Sequence, residues 1–261
     1  MKRVLLFALA ACSRFEGEEA PSRDAGGSAA DVTAPVSDAS TSSGGTIDGS
    51  FPPGAVVLRS SSKGTAMDET SISVPLPAGL QPTDLLVALV DVGNAELHTR
   101  LDEVSGWSKR SDSWGPDENT YTYVFTRLAE GATGPFVAKG PDVISGVAWL
   151  FAVSGASEVV AVHRWDKPPK ASFPTASLSV PPSNGDLLIA AFIGFTEPAA
   201  DIAWEAPAGF HVVAPATRGK RSGMAAWATA GDELRAGPYA AGTPAGPNIV
   251  FATAILLDVK K

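Results

Sequence analysis

The chain reads as an all-β protein: two tandem, homologous antiparallel β-sandwich units of the jelly-roll or immunoglobulin kind, packed side by side behind a disordered N-terminal linker. Three observations predict this. Apolar segments are short, rich in β-branched and aromatic residues, and bounded by Gly, Pro, Asn or Asp. No window carries a sustained 3.6-residue apolar stripe with helix caps. The second half of the folded region repeats the first in order.

The strand signals differ in kind. Ser71-Ile72-Ser73-Val74 alternates with period two, and Tyr121-Thr122-Tyr123-Val124-Phe125-Thr126 alternates aromatic with β-branched or hydroxyl residues. Leu85 to Val90 and Val147 to Val153 are continuous apolar runs, as expected of strands covered on both faces. Trp149 and Trp227 lie in such apolar strands and are expected in the core.

Ser71-Ile72-Ser73-Val74-Pro75 recurs as Ser177-Leu178-Ser179-Val180-Pro181, an offset of 106. Asp84-Leu85-Leu86-Val87-Ala88-Leu89 recurs as Asp186-Leu187-Leu188-Ile189-Ala190-Ala191, an offset of 102. Gly106-Trp107 matches Gly209-Phe210, and Gly134-Pro135-Phe136 matches Gly237-Pro238-Tyr239, both at 103. The units are therefore set at 54–157 and 158–261, each with about seven or eight strands. Ser154-Gly155-Ala156-Ser157 is too short to let them move freely. A single fused sandwich with two pseudo-symmetric halves competes with two separate ones, and the sequence does not separate them. Trp107 and Phe210, at one repeat position, are read as filling a common packing slot.

Pro77-Ala78-Gly79, Asp84-Leu85-Leu86-Val87-Ala88, Gly106-Trp107 and the strand ending Val153-Ser154-Gly155 resemble a module of bacterial cell-surface and phage tail-associated proteins. Gly185-Asp186-Leu187-Leu188 and Pro207-Ala208-Gly209-Phe210 extend the resemblance through the second half, to roughly 55–260. It departs at Thr83, where the family usually has the glycine seen at Gly185, and at Phe210 in place of tryptophan. The resemblance implies a β-sandwich at a cell surface and carries over no catalytic residue.

The N-terminus supplies an address. Met1-Lys2-Arg3 precedes the apolar run Val4 to Leu9, the layout of a secretory signal. The ending Leu9-Ala10-Ala11-Cys12 resembles a bacterial lipobox, which implies cleavage after residue 11 and a lipid on Cys12. An ordinary cleavable signal with an incidental cysteine is the alternative. Cys12 is the only cysteine, so one copy forms no disulfide. The apolar run falls far short of the roughly 20 residues needed to span a bilayer. Residues 12–53, built of Ala, Ser, Gly, Pro, Thr and Asp, are expected to be a disordered linker. Ser13 stands where enteric lipoproteins carry an aspartate for inner-membrane retention. An extracytoplasmic, lipid-anchored protein is therefore expected, at the outer membrane rather than the inner.

The whole chain has 20 Lys and Arg against 28 Asp and Glu, and residues 54–261 have 16 against 21. An acidic body without a basic cluster argues against nucleic-acid binding. Arg218, Lys220 and Arg221 form one short basic stretch, read as a solvated turn.

The sequence names no catalyst. There is no G-x-S-x-G elbow and no H-E-x-x-H, and His98, His163 and His211 are dispersed. His163 in Val162-His163-Arg164-Trp165-Asp166 is the best placed, with Asp166 to orient it. Asp68-Glu69, Asp102-Glu103, Asp117-Glu118 and Asp232-Glu233 are adjacent pairs read as solvated turns, not as opposed glycosidase carboxylates. The stretch Asp112-Ser113-Trp114-Gly115-Pro116-Asp117-Glu118-Asn119 stands out. Its Trp114 offers an aromatic face among polar residues, a platform for a sugar ring, with Asp112, Asp117, Asn119 and Tyr121 beside it and Trp165 as a second candidate. Asp112, Asp117 and Glu118 supply hard oxygens suited to calcium, in a spacing that does not match an EF-hand. No other cofactor is implied. The function expected is a non-enzymatic, tethered binding module for carbohydrate or envelope polymer. A structural or adhesive component binding an envelope protein, and a polysaccharide hydrolase, are the alternatives.

Overall fold

The computed structural model describes residues 55–94, 100–115, 120–166, 175–197, 199–200, 202–231, 237–241 and 249–261. Cys12, the signal and the linker lie outside them, as do Asp117, Glu118, Asn119, His98 and the Asp232-Glu233 pair. The described residues form ten strands and no helix: β1 (Val57–Val74), β2 (Leu85–Asn94), β3 (Ser108–Trp114), β4 (Thr120–Leu128), β5 (Phe136–Ser154), β6 (Glu158–Asp166), β7 (Leu187–Thr196), β8 (His211–Arg218), β9 (Arg221–Thr229) and β10 (Ile249–Lys260).

They make two five-stranded sheets, ordered β1-β5-β2-β4-β3 and β6-β10-β7-β9-β8. Every pairing is antiparallel. The second order is the first with each strand advanced by five.

Alternation along the strands explains the continuous apolar runs. In β2, Leu85, Val87 and Leu89 enter a layer shared with the other sheet, whereas Leu86, Ala88, Val90 and Val92 join a separate layer on the sheet's other face. In β7, Leu187, Ile189, Ala191 and Ile193 enter the shared layer, and Leu188, Ala190 and Phe192 face away from it. Each strand thus buries both faces, which is why the runs Leu85 to Val90 and Leu187 to Ile193 carry no polar residue. A buried Leu or Phe contributes about 1.5–3 kcal/mol, so the shared layer is the main bond between the halves.

This corrects the expectation of two separate sandwiches with seven or eight strands each. Each half forms one sheet, and neither completes an apolar layer alone: Trp149 and Phe151 of β5 lie in one cluster with Ile255 and Leu257 of β10. The arrangement is sandwich-like and common to both halves. The sheet edges meet crosswise, β1 with β8 and β3 with β6.

The repeat motifs land on equivalent supports. The Gln81 amide donates to Asp84 Oδ2 at 2.8 Å, and the Ser183 amide donates to Asp186 Oδ2 at 2.7 Å. The carbonyls of the same two aspartates accept from Ala129 and Ala230. Each aspartate closes a turn before a central strand, which justifies burying it. Gly106 and Gly209 have φ of 76° and 82°, a region open to glycine, and each turns the following aromatic inward. Trp107 meets Phe136 edge-on at 4.9 Å, and Phe210 meets Tyr239 at 5.0 Å. The common packing slot expected for Trp107 and Phe210 is present in both halves.

Trp149 is fully buried, but Trp227 only packs against the layer from its margin, beside His211. The basic stretch also differs from a solvated turn. Arg221 is buried and donates to Asp91 Oδ1 at 2.6 Å and to Thr120 Oγ1 at 2.9 Å, bridging the sheets. Lys220 pairs with Glu197 at the surface. Glu69 lies within β1, at a break in register, and not in a turn. Asp102 and Glu103 are exposed between strands, as expected.

Candidate functional site

Where β3 pairs with β4, Trp114 stands opposite Tyr121 and Asp112 opposite Tyr123. Alternation sends Ser111 and Ser113 to the opposite face, toward β6. Arg100, Asp112, Ser113, Trp114 and Tyr121 line a cleft of about 280 Å³ at this end of the first sheet. Trp114 is 57% exposed, and the Arg100 guanidinium lies 5.7 Å from the centre of its ring. Lys109 Nζ donates to the Asp112 carboxylate at 2.6 Å.

The floor is rigid. Tyr121, Tyr123 and Phe125 stack along β4 with centroids 6.1 and 5.8 Å apart, and Phe125 continues to Phe136. The Tyr123 hydroxyl accepts from the Leu101 amide at 3.1 Å, holding the segment that carries Arg100. Burial pushes the Tyr123 phenol up to about 12, so it stays protonated in any physiological medium. The buried Tyr121 hydroxyl has no hydrogen-bond partner among the described residues.

Behind the cleft, β6 is pinned to the first sheet. His163 Nε2 lies 2.8 Å from Ser111 Oγ, and Nδ1 lies 2.8 Å from Thr122 Oγ1. Trp165 Nε1 donates to Ser113 Oγ at 2.9 Å. Desolvation lowers the His163 pKa to about 4, against a smaller opposing effect of Asp112. The imidazole is therefore neutral at pH 7, donating from one nitrogen and accepting at the other. A serine beside a histidine invites comparison with a nucleophile and its base, but the group at Nδ1 is a hydroxyl and not a carboxylate. Both His163 nitrogens meet protein hydroxyls, those of Ser111 and Thr122; the side chain of Asp166, expected to orient the ring, lies outside what the structure describes. The trio is a hydrogen-bonded clasp between sheets.

Of the residues expected to bind, Trp114, Asp112 and Tyr121 come together at one cleft, and Trp165 stands behind it through Ser113. Arg100 was missed by sequence reasoning. It lies outside any strand, 14 positions before Trp114, and no pattern links the two. Among the described residues no group of three or more His, Cys, Asp or Glu gathers as a metal site; two of the three calcium candidates lie outside them.

The second sheet offers an internal control. Counting from Leu85 and Leu187, which begin equivalent strands, Tyr121 corresponds to Ser222 and Trp114 to Thr217. There the space is filled from within: Trp204 Nε1 donates to Ser222 Oγ at 3.0 Å, and Thr217 Oγ1 lies 3.1 Å from it. One half carries an aromatic-walled cleft, and at the corresponding positions of the other Trp204 and Thr217 engage the Ser222 hydroxyl. Comparison with protein-family models, with curated proteins and with solved structures finds no match to this chain.

Proposed function

We propose that this is a lipid-anchored, extracytoplasmic binding module that arose by duplication, and that its first half recognises a saccharide at the Trp114 cleft. The observation carrying this reading is the exposed indole of Trp114 at a cleft that Arg100, Asp112, Ser113 and Tyr121 also line. An apolar sugar face packs on an indole, while its hydroxyls need donors and acceptors at the rim, and the cleft supplies both. Sharing of one strand order by both sheets supports the duplication. The lipobox-like ending at Cys12 supports the anchor and an outer-membrane location. An acidic body supports a partner other than nucleic acid.

The reading is non-enzymatic. A polysaccharide hydrolase would set two carboxylates across the cleft, and Asp112 is the one carboxylate lining it among the described residues. The test is a binding screen of the full chain against envelope glycans and peptidoglycan fragments, with Trp114→Ala alongside and with calcium or chelator added. Binding that falls roughly tenfold or more in the variant is expected. A ligand held equally well without the indole would remove the cleft from the mechanism of binding.

A further inference from the structure

We propose that the cleft selects a carboxylated saccharide, a uronic-acid type of ring whose carboxylate meets Arg100 while the ring lies on Trp114. This rests on the saccharide reading above and adds the charge of the ligand. The chain as a whole is acidic, with a formal charge of −8, yet the described lining of this cleft sets one cation, Arg100, against one anion, Asp112. The Asp112 carboxylate is already engaged at 2.6 Å by Lys109, which lies outside that lining. Arg100 is exposed and has no carboxylate partner among the described residues; its guanidinium lies over the Trp114 ring, 5.7 Å from the centroid. A guanidinium seated on an indole is held by its π face, and its N–H donors suit a planar carboxylate.

Two further features fit that ligand. At about 280 Å³ the cleft is near the small end of ligand sites, ~300 Å³, which suits one ring rather than a long chain. Tyr121, whose buried hydroxyl lacks a partner among the described residues, forms part of the same wall. The second half makes the specialisation local: Thr217 and Ser222 stand where the first half has Trp114 and Tyr121.

The experiment titrates the full chain with trisaccharides of the galacturonate, glucuronate and mannuronate series. Their carboxyl-reduced counterparts and a triglutamate peptide serve as comparators, and R100Q, R100K and W114A as variants. At least one uronate should bind roughly tenfold more tightly than its reduced form, with the advantage shrinking in high salt. R100Q should abolish that advantage, weakening the uronate more than its reduced form. R100K should keep part of it, and W114A should weaken acidic and reduced sugars alike. Equal binding of every acidic and reduced pair overturns the charge assignment and leaves the saccharide reading standing. Triglutamate bound as tightly as the best uronate overturns the choice of a sugar ring. No saccharide bound in either form overturns the saccharide reading itself.

Discussion

In the first sheet Tyr121 stands opposite Trp114; in the second the same two positions hold Ser222 opposite Thr217. Around them the halves share a strand order, a buried aspartate that closes a turn, and a glycine that turns an aromatic edge-on into the core. Further equivalent positions differ as sharply. Counted along the paired strands, Thr120 and Asp91 correspond to Arg221 and Ile193, and Thr122 and Lys63 correspond to Gly223 and His163. Positions where the halves agree support backbone; positions where they differ lie at the contacts between sheets and at the cleft. A repeated fold thus needs few fixed residues, and the freedom left over sits at the margins of the shared layer.

The largest effect should come from the buried ion pair Arg221–Asp91, which joins the two halves. Arg221→Ala leaves Asp91 buried beside Thr120 without its guanidinium, which should cost about 3–5 kcal/mol in chemical denaturation. Replacing both Arg221 and Asp91 by alanine should recover part of that loss. A single-variant loss below about 1 kcal/mol would mean that water reaches the pair.

His163 gives the next effect, and its pH signature has a defined window. Its folded pKa of about 4 lies below the ordinary 6.5, so the unfolded chain takes up the proton first as pH falls. The clasp's contribution is complete above pH 6.5 and is lost progressively toward pH 4, by up to about 3 kcal/mol. The stability difference between the parent and His163→Gln should fall across that window. A difference that stays constant with pH would show that His163 is solvated in the folded protein.

Gly223 sits where the first half has Thr122, and the exchange makes room for Trp149. A Cβ at Gly223 would stand 2.7 Å from Trp149 Cη2 and 3.0 Å from Ile193 Cγ1. Gly223→Ala should therefore cost about 1–3 kcal/mol, read as a lowered melting temperature, and Trp149→Phe in the same chain should soften the clash. Thr122→Ala, which removes the hydroxyl that meets His163 Nδ1 and donates to the Ser113 carbonyl at 3.4 Å, should cost about 1 kcal/mol.

These contrasts explain what was legible beforehand. Strand content could be read from Leu85 to Val90 and from the alternation at Tyr121–Thr126, because burial on one face or two leaves its period in the sequence. The number of layers could not. Whether Val87 and Ile189 face each other or separate partners depends on pairing at a distance, and both arrangements need the same apolar residues. At the site, Trp114 was legible as an aromatic among polar neighbours, and Asp112 and Tyr121 followed from proximity in the chain. Arg100 was not, since it reaches the cleft through a tether from Leu101 to Tyr123. Arg221 misled for the opposite reason. Its neighbours are exposed cations, and only the fold brings Asp91 to it from 130 positions away.

The smallest effect belongs to the counterpart of His163. Lys63 Nζ donates to the Pro215 carbonyl at 2.7 Å, so both edges of the shared layer are bridged by a basic side chain from equivalent strands. They differ in exposure. The Lys63 bond lies at the surface, where a water molecule replaces either partner at little cost, whereas both His163 nitrogens meet protein hydroxyls in a desolvated setting. Lys63→Met should change stability by no more than about 0.5 kcal/mol, measured beside His163→Gln in the same buffers. Equal losses from the two variants would mean that desolvation does not distinguish the edges, and that the cleft-side clasp is no firmer than the bond opposite it.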